Sequence, residues 1–208
     1  IAQSLVEHLQ ATGVPKGAGV LQINGSPTDA AAGLIRDGID RALDASPYVT
    51  LSEFDTPDWA PPKAQEWAAG QITRFGAEIT GIVAANDGTG GGAIAALKAA
   101  GVDPLPPVTG NDATIAALQL IIAGDQYNTI SKPSEIVAAA AAEVAVQLMN
   151  SETPEATTTL YNTPSQLFVP AVVTQENIKE LVFDAGITAA SDVCTAEYAA
   201  ACAELGIQ

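Results

Sequence analysis

The sequence predicts an α/β fold, a doubly wound parallel sheet with helices on both faces. Three observations carry that expectation. Short apolar, β-rich runs alternate with helix-length segments from residue 18 to residue 131, and polar turn residues gather in the loops after the strands. The intervals between strands are long enough for helical returns, which a parallel connection of about a dozen or more residues requires and which run right-handed.

An opening helix carries the single histidine, His8. The first strand is 18–24 (AGVLQIN), followed by the turn GSPTD and an apolar-periodic helix over 30–43. Next come a strand at 48–54 with a helix at 61–75, and a strand at 79–85 with a helix at 90–100. A short strand at 107–109, a helix at 113–123 and a strand at 128–131 complete the βαβαβαβαβ order. Pro133 suits a first helical position, where its missing N–H has no intrahelical partner anyway. The helix 133–149 is apolar almost all round, with Ile136, Val137, Val144, Ala145, Val146 and Leu148, and such a helix needs protein on more than one side. Residues 150–165 read as a long surface connection. The run 166–173 reads as a strand with Pro170 at an edge or bulge. Two helices follow, near 175–183 and at 195–205.

Composition narrows the function. The chain has 208 residues, 48% apolar and 15% charged, which excludes disorder, collagen and a Lys/Glu-rich coiled coil. Eight basic against 24 acidic residues give 8 − 24 = −16, a charge that repels nucleic acid and anionic membranes. Even the Ala-rich stretch 136–149 is broken by Glu143 and Gln147, so no window resembles a membrane span. The opening IAQSLVEHLQ shows no basic region followed by an apolar run, so no secretory signal is read in it. Cys194 and Cys202 are the only cysteines. A short-loop disulfide and a pair of inert thiols both fit.

Parallel sheets bind ligands beyond the carboxyl ends of their strands, so the loops there hold the candidates. Trp59, in DTPDWAPP, offers an indole face that can stack on a sugar's C–H face while its N–H stays free, or it covers an apolar surface; Trp67, on the next helix, is of the covering kind. In Asn86-Asp87 the amide is assigned to a ligand's hydroxyls and the carboxylate to capping the next helix. Asp112, in TGNDAT, either accepts from vicinal hydroxyls in bidentate fashion or caps the helix after it. Lys132, held extended before Pro133, either donates to hydroxyl or ring oxygens or is a solvated surface lysine.

No catalytic residue, metal site or cofactor is read. His8 has no catalytic partner nearby, GxSxG is absent, and no His/Cys cluster has metal spacing. GTGGG lacks the Lys of a phosphate loop and does not make GxGxxG.

Across GSPTD (25–29), DWAPPKA (58–64), AANDGTGGGAIAALKAAG (84–101) and VTGNDATIAALQLIIAGDQYNTISKP (108–133), the chain resembles the type I periplasmic sugar-binding proteins of ABC importers, in their D-xylose-binding branch. The resemblance implies a sugar site lined by Trp59, Asn86, Asp112 and Lys132, with the first stacking and the others hydrogen-bonding a monosaccharide. It implies a permease partner and an extracytoplasmic location, periplasmic or at the cell surface through a lipid anchor. The family's Asn positions after the Asp of the first loop are Ala30 and Ala31 here.

The resemblance further divides the chain into a C-terminal sugar-binding lobe (1–132), a returning helix and connection belonging to a first lobe (133–165), and a final strand with a helical tail (166–208). It thus implies a C-terminal fragment lacking most of the partner lobe. Such a fragment is expected to bind sugar weakly and to self-associate through the helix 133–150. Two other readings share the fold: the sugar-effector domain of a LacI-type regulator, and a small α/β sugar- or nucleotide-modifying enzyme.

Overall fold

The computed structural model describes residues 1–132 and 134–207. The expectation for Pro133 lies outside the described residues. The chain divides into two units, one of residues 1–130 with 172 onward and one of residues 131–171.

In the first unit, β1 (Gly19–Asn24) lies between β2 (Val49–Asp55) and β3 (Ile79–Ala84), all parallel and in the order β2-β1-β3. The sheet continues past β3. Ile82 N donates to Pro107 O at 2.9 Å, Thr109 N donates to Ile82 O at 3.0 Å, and Tyr127 N donates to Val108 O at 2.9 Å. Residues 107–109 thus bridge β3 to the chain that enters β4 (Asn128–Ser131), although only Val108 makes a ladder bridge and no full strand forms there. β4 also pairs with β7 (Ala171–Thr174).

Alternation sorts the strand side chains onto two faces. Leu21, Ile23, Ile82 and Ala84 pack with Ala64, Ala68 and Ile72 of α3 (Pro61–Phe75) and with Ala93, Ile94 and Leu97 of α4 (Asp87–Ala99). Val20 and Val83 point the other way, against Leu5 and Leu9 of α1 (Ala2–Ala11) and Ile39 and Leu43 of α2 (Ala30–Asp44). Each such buried Leu or Ile contributes about 1.5–3 kcal/mol. A third cluster joins Leu118, Ile121 and Ile122 of α5 (Ile115–Ala123) to Val173, Ile178, Val182 and Cys202.

Several boundaries differ from expectation for identifiable reasons. α4 begins three residues before the predicted Gly90, because a capping box starts the helix at Asp87. α5 begins two residues after the predicted 113, because Thr114 caps it through Ala117 N. The predicted strand 166–173 pairs only at β7, since Pro170 has no N–H to give a ladder. The predicted helix 175–183 is a turn followed by a π-helical segment, Lys179–Asp184. In place of one helix over 195–205, α7 (Ala190–Val193) and α8 (Ala199–Glu204) flank a bend at the Cys194–Cys202 disulfide.

The second unit contains α6 (Ser134–Met149) and a hairpin of β5 (Thr158–Leu160) and β6 (Thr163–Ser165), where the sequence reads as a plain connection. Large apolar side chains of α6 are exposed, among them Ile136 at 58%, Leu148 at 60% and Met149 at 84%. No helix among the described residues is long and apolar enough to cross a membrane.

Candidate functional site

β1 lies between β2 and β3, so the connections leaving β1 and β3 go to opposite sides of the sheet and leave a crevice beyond their carboxyl ends. The strand ends are level there: Asn24 is in register with Asp55 and Ile23 with Ala84, and Ala85 N donates to Ile23 O at 2.8 Å. Trp59, Asn86 and Asp112 are carried to this edge by the chain after β2, after β3 and after residues 107–109 respectively. Lys132 belongs to the second unit; it directly follows β4 and is exposed.

Trp59 is half-buried and held on two sides. Its indole lies over Gly25, where any Cβ would overlap the six-membered ring. Its Nε1 donates to Asp29 Oδ2 at 3.0 Å. The expected free indole N–H is therefore engaged, because Asp29, the N-cap of α2, has one oxygen on Ala31 N and the other left for the indole. Asp29 and Gly25 are the residues that sequence reasoning missed here. The capping position of Asp29, ahead of an apolar-periodic helix, was the available signal.

The capping assignment at 86–87 is reversed. Asn86 is the N-cap of α4, with Oδ1 accepting from Thr89 N at 2.8 Å and its own N–H donating to Thr89 Oγ1 at 3.4 Å. Its Nδ2 makes no hydrogen bond to the described residues, while its oxygen serves the helix. Asp87 is instead buried, at 4% exposure. Its Oδ2 accepts from Thr114 N (2.8 Å) and Thr114 Oγ1 (3.1 Å), and its Oδ1 accepts from Thr129 Oγ1 (2.6 Å) and Gln126 Nε2 (3.3 Å). Burial pushes this carboxyl above its ordinary value, against the pull of those four donors.

Asp112 is not a helix cap, since Thr114 does that work. The carboxylate is exposed at the site edge, while its backbone N–H donates to Ile130 O at 3.0 Å. Beside it Asn111 is buried, with Nδ2 directed to Ala85 O at 3.4 Å. Positive φ values occur at Asp58 (53°), Trp59 (56°), Asp112 (111°) and Ala113 (52°), two in each of the loops that carry Trp59 and Asp112. Non-glycine residues there cost about 1–3 kcal/mol each and gather where function requires them.

His8 is away from this edge. Its ring packs on Tyr127, centroids 4.2 Å apart, and burial lowers its pKa while Glu176 opposes the shift. Among the described residues no group of His, Cys, Asp and Glu is arranged to hold a metal ion.

Fold and site together define an α/β lobe with an indole, an amide and a carboxylate at one edge of its sheet. Residues 1–153 match the periplasmic binding protein domain model, and the chain belongs to that family. It is 37% identical over 190 residues to the D-xylose-binding periplasmic protein of Escherichia coli K12, covering 86% of this chain and 57% of that protein. It is 34% identical over 172 residues to the D-xylose-binding periplasmic protein of Haemophilus influenzae, covering 79% and 52%. A solute-binding protein of an ABC transporter from Clostridium phytofermentans, solved with bound β-D-glucose, superposes with a TM-score of 0.80 at 25% identity, over 92% of this chain and 66% of that one. The chain thus spans little more than half the length of the curated relatives it matches.

Proposed function

We propose that this chain provides the sugar-holding lobe of a solute-binding protein that delivers a xylose-like monosaccharide to the permease of an ABC importer, without transforming it. The observation that carries the reading is the set of three different side-chain chemistries at one sheet edge, two of them on loops held at positive φ. Trp59 supplies an apolar face, Asn86 Nδ2 a donor and the Asp112 carboxylate a charged acceptor, which suits the C–H faces and vicinal hydroxyls of a pyranose. Asp29 fixes the indole's orientation through Nε1. The relatives named for D-xylose support the ligand class. An extracytoplasmic location is supported by the Cys194–Cys202 disulfide, a bond that persists in oxidising compartments.

The test is a titration of a Trp67→Phe variant, which leaves Trp59 as the single indole. D-xylose is expected to change its emission and to give saturable heat in calorimetry. If neither D-xylose nor D-glucose gives either signal up to tens of millimolar, about −2.5 kcal/mol of binding, the sugar reading falls. The exposed apolar side chains of α6 further support self-association through that helix. Light scattering is expected to show mass rising with concentration, and a monomer throughout would count against it.

A further inference from the structure

We propose that Asp87, which is buried, is the positioning residue for the sugar-contacting edge, holding Asn86 and Asp112 in one arrangement; this rests on the sugar reading above. A single buried carboxylate joins three separate stretches of chain. It belongs to the first turn of α4, next to Asn86. Its Oδ2 takes the N–H and hydroxyl of Thr114, two residues after Asp112. Its Oδ1 takes the hydroxyl of Thr129 on β4 and the amide of Gln126.

The stitching continues through the backbone. Asp87 N donates to Asn111 O at 2.9 Å, and Ala113 N donates to Thr129 Oγ1 at 3.1 Å. Asp112 therefore lies between two residues, 111 and 113, fixed by Asp87 itself or by a hydroxyl bonded to it. That is the kind of support a loop at positive φ needs, because its own backbone preference works against the conformation. Gly110 fits the same picture. A Cβ there would overlap Asp87 Oδ1 and Gln126 Nε2, so the turn passes directly against the carboxylate.

Asparagine can keep much of this arrangement. Its oxygen can keep the Thr114 N–H and hydroxyl, and its Nδ2 can donate to Thr129 Oγ1, which still accepts from Ala113 N while Gln126 Nε2 keeps Asn128 O. Alanine can do neither and leaves the Thr114 N–H without its acceptor. Asp87→Ala and Asp87→Asn thus separate positioning from mere presence of a buried carboxylate.

The experiment measures amide hydrogen exchange and D-xylose titration by NMR on the full chain, for the parent and both variants. In Asp87→Ala the amides of Asp112, Ala113 and Thr114 are expected to exchange at least about tenfold faster, while those of β1 and α1 keep their rates. D-xylose affinity is expected to fall at least about tenfold. Asp87→Asn should recover most of both. Equal acceleration of all amides in Asp87→Ala, or unchanged exchange at 112–114, would overturn the proposal. So would unchanged affinity in Asp87→Ala when the parent binds. If the parent shows no sugar response but exchange at 112–114 alone accelerates in Asp87→Ala and recovers in Asp87→Asn, the positioning role stands and the sugar reading falls.

Discussion

Three adjacent glycines in α4 give a prediction whose sign changes from one residue to the next. A Cβ on Gly90 would sit 2.6 Å from Thr109 O and 3.5 Å from the Ala84 Cβ, and one on Gly92 would sit 2.5 Å from Pro61 O and 3.2 Å from Gln65 N. Both meet backbone, which cannot swing aside as a side-chain tip can. A Cβ on Gly91 would meet only Leu120 Cδ1, at 3.9 Å, an ordinary contact. Replacing Gly by Ala in a helix interior gains about 1 kcal/mol, while overpacking costs about 1–3 kcal/mol. Gly91→Ala should therefore stabilise the protein by about 1 kcal/mol. Gly90→Ala and Gly92→Ala should be less stable than Gly91→Ala by about the full overpacking cost. In thermal melts each kcal/mol is about 2–4 °C for a chain of this size. If Gly90→Ala melts with Gly91→Ala or above it, the close approach of α4 to residues 107–109 is wrong. The same distances explain two glycines of the GTGGG run: Gly90 and Gly92 let the helix lie against neighbouring backbone.

Asp112→Ala is expected to remove detectable D-xylose binding while circular dichroism and melting stay close to the parent; unchanged affinity would take Asp112 out of the site. Replacing both Cys194 and Cys202 by Ser opens a loop with a sequence separation of 8, worth about 2.5 kcal/mol by chain entropy. The melting temperature of that variant should fall, and an unchanged value would show that the tail is held by packing alone. His8 should titrate below its ordinary value of about 6.5, because burial disfavours its charged form. Its contribution to stability is present above the unfolded-state pKa and is lost as pH falls through that value toward the folded one. Glu176→Gln should lower the His8 pKa further, since the carboxylate opposes the shift; NMR titration of this single imidazole reads both directly.

The parallel sheet was legible because its signal is periodic. α3 and β4 occupy the residues that pattern and turn chemistry assign, and the faces of β1 and β3 follow from alternation. What escaped was decided by groups distant in sequence or by local rules with two solutions. Asn and Asp are almost equally good caps, so the order of duties at 86–87 depends on Thr114, Gln126 and Thr129 gathering around one of them. The indole N–H of Trp59 is engaged by a residue 30 positions earlier. The β5–β6 hairpin turns on Tyr161 and Asn162, both at positive φ, a two-residue turn whose Asn was visible in a stretch otherwise read as polar connection.

The left-handed backbone at Asp58, Trp59, Asp112 and Ala113 has a consequence for anyone evolving this protein. At Asp58 and Asp112, which are exposed, a screen rewarding heat resistance alone would favour glycine, relieving an unfavourable conformation. One of the winners would have discarded the carboxylate assigned to the sugar. Selection for hardiness and selection for appetite therefore pull on the same codon in opposite directions, and a library should hold that codon constant while the helices vary.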